Sequence, residues 1–396
     1  MTYSLKSFSS IAQIGKDSWQ RAFANGGPTL QYSFLLALEE SHSVGSKTGW
    51  TPHFIGIYKA ADLVALLPGY SKSHSYGEYI FDHAWANAYA QHGFNYYPKW
   101  ICAVPFTPIT KQRIGFIELV TNTTESTDNS INRAAIIDFL GQALPEYITE
   151  QGFSSAHLLF VNHTENTLLN SETKLSQRWS LQFEWQNQNY TDFTDYLSWM
   201  VSRKRKSIKK ERNKIAKQGI SVKQHFGTEL SSEHMAFFYE CYKITYLKRS
   251  GHEGYLTRNF FERLYNDMAE HILLVIAYEN ERPIAAAFFL YDTTELYGRY
   301  WGALNEADGL HFECCYYQGI EFAIQQNIQR FNPGTQGEHK ILRGFAPTYC
   351  HSYHLLNHPD FAHAVEDFVQ REKPAIQAYK LQCDELLPFR KENESL

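Results

Sequence analysis

Hydrophobic and polar positions follow the same succession in both halves of the chain. In the first half, Asp17–Ala24 and Thr29–His42 have helical spacing, the second with Leu30, Phe34, Leu35 and Leu38 on one side. Three strand-like runs follow at His53–Tyr58, Leu63–Tyr70 and Tyr76–Phe81, separated by polar or glycine-bearing turns. Asp82–His92 reads as a helix, with Asp82 as N-cap and Gly93 past its end. Tyr96–Phe106 is a buried strand pattern, Ile131–Gln151 a helix, and Ala156–Val161 another strand. In the second half, Ser231–Tyr246 and Arg258–Glu270 read as helices. His271–Tyr278, Pro283–Tyr291 and Glu295–Gly302 read as strands, His311–Asn327 as a helix and Ile328–Phe331 as a short strand.

The order of elements therefore repeats, and two short motifs reinforce the parallel. YGEY (Tyr76–Tyr79) and YGRY (Tyr297–Tyr300) occupy the third-strand place of each half. They lie 18 and 19 positions after the preceding Tyr58 and Tyr278. Strands are rich in aromatics, so a four-residue match could also arise by chance. The repeat predicts an α/β (α+β) chain with a duplicated unit. Its expected domains are 1–190 and 226–396, joined by a basic helical linker at 191–225.

A length of 396 residues is too great for one ordinary core and fits two domains. Aromatics make up 15% of the chain, enough to line grooves as well as cores. The net charge of −5 gives no global argument for nucleic acid or a membrane surface. No run of 18 apolar residues and no signal-peptide pattern is present. The six cysteines form no C-x-x-C pair, which fits reduced thiols in a cytoplasmic protein.

Charge is concentrated in one place. Arg203, Lys204, Arg205, Lys206, Lys209, Lys210, Arg212, Lys214 and Lys217 fall within fifteen positions beside a single acid, Glu211. Ile208 and Ile215, seven apart, form one narrow apolar stripe, and Gly219 stops the helix. So many cations repel one another, and an anionic partner such as a phosphate backbone or an anionic lipid relieves that; Arg203, Arg205, Lys206, Lys209, Lys210 and Arg212 are its candidate contacts. A solvated helix face is the alternative.

Candidate chemistry gathers late in the chain. In GTQGEHKILRG (Gly334–Gly344), glycines break the backbone beside Glu338, His339, Lys340 and Arg343, an acid, an imidazole and two cations. As a strand this stretch would put Glu338 and Lys340 on one face and His339 on the other. Glu313 shares a helical face with Tyr317, Ile320 and Ile324, where partial desolvation would raise its pKa and make it a base. An acid in a first helical turn is equally explained by the macrodipole. His74, Tyr76 and Glu78, with Asp82 and His83, form a polar cluster in the first half, which an ordinary hairpin loop would also produce. No metal-ligand spacing, G-x-S-x-G elbow or Walker loop occurs.

HSYGEYIFDHAWANAYAQHGFNYYPKWICAVPFTP, the RKRKSIKKERNKIAKQGI helix, LYGRYWGA, LHFECCYYQGIEFAI and GTQGEHKILRGF together resemble the FemAB-like N-acyltransferases, a family also described as peptidoglycan biosynthesis or recognition proteins. The resemblance spans about residues 5–385. It implies a tandem of two acetyltransferase-like (GNAT) folds with mixed central sheets. In the wider Fem group, amino acids pass from aminoacyl-tRNA to the stem peptide of a cell-wall precursor, and a basic helix of the R-K-x-x-x-K type occurs where Arg203–Lys217 lies. The acyl-CoA loop R/Q-x-x-G-x-G/A of ordinary GNAT enzymes is missing; RYWGAL (Arg299–Leu304) has leucine in the last position and reads as strand. This implies a donor other than CoA, or no catalysis.

The implied function is N-acyl or aminoacyl transfer to an amine of a cell-wall precursor or related acceptor. Glu338, His339 and Glu313 are the catalytic candidates. Lys340, Arg343, Tyr297, Arg299, Trp301, His311, His74, Tyr76 and Glu78 are the candidate substrate contacts. No cofactor is fixed, and aminoacyl-tRNA or acyl-CoA is the co-substrate implied. Recognition of peptidoglycan fragments without chemistry is the alternative, and acetylation of a small amine from acyl-CoA a further one.

Overall fold

Most of the apolar runs become strands in a computed structural model that describes residues 2–118, 132–335 and 337–390. Ile131, the expected start of one helix, and Gln336 lie outside the described residues. The fold is α/β with mixed sheets. It divides into two units: residues up to 180 with 349–377, and residues 181–348 with those from 378 on. Residues 349–377, which element order assigns to the second half, thus pack with the first unit. The basic segment is no free linker, because its helix belongs to the core of the second.

In the first unit, Tyr3–Phe8, Phe54–Lys59, Asp62–Leu67 and Gly115–Phe116 form an antiparallel sheet in that order. A second sheet runs through Trp50–Pro52, Gly69–Lys72, Lys99–Cys102, Ser155–Val161 and residues 349–356. It is mixed, since Lys99–Cys102 runs parallel to Ser155–Val161 and antiparallel to Gly69–Lys72. Helix Arg133–Glu150 buries Ile136, Ile137, Leu140, Leu144 and Ile148 against Ile55, Ile57, Leu67 and Trp100. Each such side chain contributes about 1.5–3 kcal/mol by leaving water.

The expected strand Tyr76–Phe81 does not form. Residues 73–82 are an irregular strap instead. Gly77 (φ +80°) and Tyr79 (φ +62°) adopt left-handed backbone that a ladder cannot hold. A Cβ at Gly77 would also come within 2.7 Å of the Phe106 ring. YGEY is therefore not the equivalent of YGRY, whose residues lie in strand Glu295–Ala303. Helix His83–Gln91 starts where expected, but the Asp82 side chain makes no cap bond and turns to Lys99.

In the second unit the strand order is Ile220–Phe226, Ile272–Glu279, Arg282–Tyr291, Glu295–Ala303, Arg330–Asn332 and residues 181–186. Neighbours are antiparallel except Glu295–Ala303 with Arg330–Asn332. That parallel pair is in register only over Glu295–Tyr297 and Arg330–Asn332, and Pro333 then ends the ladder. Beyond Tyr297, strand Glu295–Ala303 stays paired with Arg282–Tyr291 but has no partner in that ladder on its other side among the described residues, so the sheet opens there. Helix Ser232–Ser250 packs closely on it: a Cβ at Gly302 would sit 1.9 Å from the Cys241 carbonyl oxygen. On the opposite face, Ile208 and Ile215 of the basic helix Ser202–Lys217 join a core with Leu273, Val275, Phe289, Cys314 and Ile320.

Candidate functional site

Beyond the opened strand pair, helix Leu310–Phe312 begins a segment that continues as a π-helical turn, Glu313–Tyr317, and then helix Gln318–Gln325. A π-turn shifts the side-chain register and often marks a functional site. Residues 338–343 are a 3₁₀ helix rather than a strand, framed by Gly337 (φ +110°) and Gly344 (φ +81°). Three residues per turn put Lys340 and Arg343 on the same inward face, while Glu338 and His339 are exposed.

These positions separate the predicted residues. Arg343 donates from Nε to Tyr317 Oη (2.9 Å), from Nη1 to the His339 carbonyl (2.8 Å) and from Nη2 to Glu211 (2.8 Å). Its guanidinium lies 3.6 Å from the Phe312 ring centre. Tyr317 donates to the same Glu211 carboxylate, and Tyr196 donates to the Arg343 carbonyl (2.5 Å). Arg343 is thus a packing hub, and Glu211, the one acid of the basic segment, is its partner. Lys340 donates to the carbonyls of Gly334 and Thr335, both at 2.7 Å, and so clasps the glycine turn. Burial lowers its pKa to about 7.

Glu313 does not stand free as a base. Arg212 pairs with it at 2.9 Å, Gln318 donates to it at 2.8 Å, and Arg212 also reaches Glu321 at 2.9 Å. The Arg212 guanidinium is accordingly engaged by two carboxylates of its own unit. Glu338 accepts from Tyr379 Oη (2.6 Å). Tyr297 is buried and donates to Glu295 (2.5 Å), itself paired with Arg330. Arg299 lies against Tyr300, 5.2 Å from the ring centre.

His339, Trp301 and His311 do come together. His339 Nε2 is 2.9 Å from Tyr316 Oη, and its ring lies 5.4 Å from Phe312 and 6.3 Å from His311. Trp301, past the end of the parallel pairing but still opposite Ala287, has its ring 5.6 Å from that of His311. Partial desolvation lowers the pKa of both imidazoles, aided for His339 by the charges of Lys340 and Arg343 and for His311 by His339; His311 falls to about 4. Both are neutral near pH 7, as a proton acceptor must be. On the basic helix, Lys206, Lys209, Lys210, Asn213, Lys214 and Lys217 line one concave face. Lys214 pairs with Asp308, whereas Arg203, Lys206, Lys209, Lys210 and Lys217 are exposed and have no ion-pair partner among the described residues.

The first unit holds a cluster that sequence reasoning caught only at its edge. Lys99 donates to Asp82, to Glu78 (2.7 Å) and to Ser75 (3.0 Å). Lys72, fully buried, approaches His74 Nδ1 and the Tyr76 carbonyl, each at 3.2 Å. His74 is thereby fixed as the neutral tautomer that donates Nε2–H to the Thr48 carbonyl (3.0 Å). Of the predicted contacts in this cluster, Tyr76 is 63% exposed, His74 is half-buried and Glu78 is buried. Behind Asp82, Tyr96 (2.7 Å) leads to His157 (3.3 Å), His354 (2.8 Å) and Ser352 (2.8 Å). A lysine inside the apolar run YYPKWICAVPF was the available signal for Lys99, because lysine is almost never fully buried without a partner.

No curated protein matches the chain. The solved structure of FemX is similar over 92% of this chain and 100% of its own, at 11% identity and a TM-score of 0.51, which supports the fold. L-PGS from Bacillus licheniformis is similar over 85% of this chain and 96% of its own (10% identity, TM-score 0.45). A tandem GNAT protein from the clavulanic acid biosynthesis pathway is similar over 90% and 99% (8% identity, TM-score 0.41). The model of the FemAB-like family, described as peptidoglycan biosynthesis/recognition, matches residues 10–391, and the chain belongs to that family.

Proposed function

We propose that this chain transfers an acyl or aminoacyl group to an amine on a cell-wall precursor or related molecule, at the opened strand pair of the second unit. The observation that carries the reading is His339: an exposed, neutral imidazole, oriented by Tyr316 and grouped with Trp301 and His311. In the tautomer that donates Nε2–H to Tyr316, the Nδ1 lone pair is free. The acceptor nitrogen attacks the carbonyl carbon of the donor ester, His339 takes the nitrogen's proton, and the C–O bond to the leaving alcohol breaks as that proton is passed on. Amide and alcohol are the products. Lys340 positions the glycine turn next to His339, and Trp301 offers a flat wall for the acceptor.

The exposed lysines of the basic helix favour a polyanionic donor, and aminoacyl-tRNA fits them. Binding of tRNA that falls steeply with salt, and loses slope in Lys206→Glu/Lys210→Glu, supports this donor. A salt-independent affinity removes it. Recognition without chemistry remains the outcome if donor and acceptor both bind and no amide forms.

A further inference from the structure

Lys72 and Lys99 are direct register partners on neighbouring antiparallel strands, and both are 0% exposed. Like charges placed opposite each other in a sheet repel, and each buried ammonium carries a desolvation cost of several kcal/mol. Such a pair persists only if anions serve it. Asp82 serves Lys99 from a fixed position, held by Tyr96 and the His157–His354–Ser352 chain behind it. Lys72 is served poorly. Its nearest carboxylate oxygen, Glu78 Oε1, is 3.9 Å away, and the Trp50 ring centre lies 4.0 Å from its ammonium.

Glu78 comes from the strap 73–82, which differs from the rest of the cluster. Tyr79 holds a left-handed conformation at φ +62°, at a cost of roughly 1–2 kcal/mol for a residue with a side chain. Tyr76 and Phe81, on either side, are 63% and 58% exposed. Glu78 Oε1 and Asp82 Oδ1 are buried without any hydrogen-bond partner. Glu78 thus leaves one oxygen unmet while Lys72 lacks a close carboxylate, so the two fit each other poorly.

We propose that the Lys72–Lys99 pair is an anion-binding site for a carboxylate or phosphate group of a ligand, and that Glu78 occupies it in the ligand-free chain. With Glu78 swung out, Lys72, Lys99 and Asp82 leave one net positive charge. Ser75 Oγ and Tyr97 Oη are hydrogen-bonded at 2.8 Å, which leaves one O–H of the pair to donate beside it. Burial raises the Glu78 carboxyl to about 7 and lowers Lys72 to about 7, in keeping with an ion pair that a better-fitting anion improves. The site is independent of the transfer chemistry at His339.

Isothermal titration of the full chain with N-acetylalanine as carboxylate probe and inorganic phosphate as phosphate probe tests it and tells the two chemistries apart. Glu78→Gln, which removes the competing charge, is expected to bind one of them roughly tenfold more tightly than wild type. Adding Lys72→Met to that variant is expected to abolish the gain. Hydrogen exchange in wild type gives a readout that needs no variant: saturating anion should speed exchange of the amides in 73–82. Failure of both probes to bind Glu78→Gln, unchanged affinity on adding Lys72→Met, or unaltered exchange of the strap at saturating anion would overturn the proposal.

Discussion

Lys72 and Lys99 face each other across two antiparallel strands, both fully buried, and both carboxylates that approach them come from the segment 73–82. The pair links folding of the first unit to the placement of one strap.

Removing Lys99 should be costly. Lys99→Met leaves Asp82 and Glu78 buried with their main cation gone, and breaking such a pair from one side costs about 3–5 kcal/mol. Adding Asp82→Asn and Glu78→Gln should restore much of the loss. Denaturant melts of Lys99→Met and of the variants that add Asp82→Asn and then Glu78→Gln would check this, and additive losses would contradict it.

The cluster also predicts a sign for pH dependence. Burial raises Glu78 from 4.5 to about 7, so the folded state binds more protons than the unfolded state between those values, and stability falls as pH rises through that window. Burial lowers Lys72 from 10.5 to about 7, so stability rises with pH from about 7 to 10.5. His157, lowered to about 3 by burial, acts oppositely to Glu78 in acid, as do other buried histidines. The clean measurement is therefore the wild-type curve minus that of Glu78→Gln. The difference should grow from pH 4.5 to 7 in favour of the glutamine, and a flat difference would refute the assignment.

Much of the chain was legible from its apolar spacing. Helix 133–150 and strands 272–279, 282–291 and 295–303 fall within a few residues of expectation, because their burial is set by local periodicity. Tyr76–Phe81 was misread because alternating aromatics imitate a strand, while left-handed Tyr79 is a tertiary outcome that no local pattern announces. Residues 338–343 failed for a related reason: flanking glycines permit many backbones, and burial of Lys340 and Arg343 selected the 3₁₀ one. Glu313 had the right face but a hidden partner, since Arg212 lies 101 positions away in sequence. His339, Trp301 and His311 are legible in the sequence as residue types, and only folding makes them neighbours.

Arg212 and Glu313 give a further test. Arg212→Ala should destabilise the second unit by about 2–4 kcal/mol, because it strands a buried carboxylate. Arg212→Ala with Glu313→Gln should recover part of that. Thermal melts read both, and activity per folded molecule should survive in Glu313→Gln, since its carboxylate is structural.

On the basic helix, Lys206→Glu, Lys209→Glu and Lys210→Glu together should lower the slope of log affinity against log salt for tRNA by about two to three. Stability should hold, because these side chains are exposed and unpaired among the described residues. Equal slopes for wild type and variant would place the donor elsewhere.

The most direct measurement incubates the full chain with a pool of aminoacyl-tRNA and a cell-wall precursor peptide and follows the peptide by mass spectrometry. The account predicts a mass gain of one aminoacyl residue on an amine, with His339→Ala slowing its appearance roughly 10²–10⁴-fold at neutral pH. A peptide of unchanged mass, or a His339→Ala variant as fast as wild type, would contradict it.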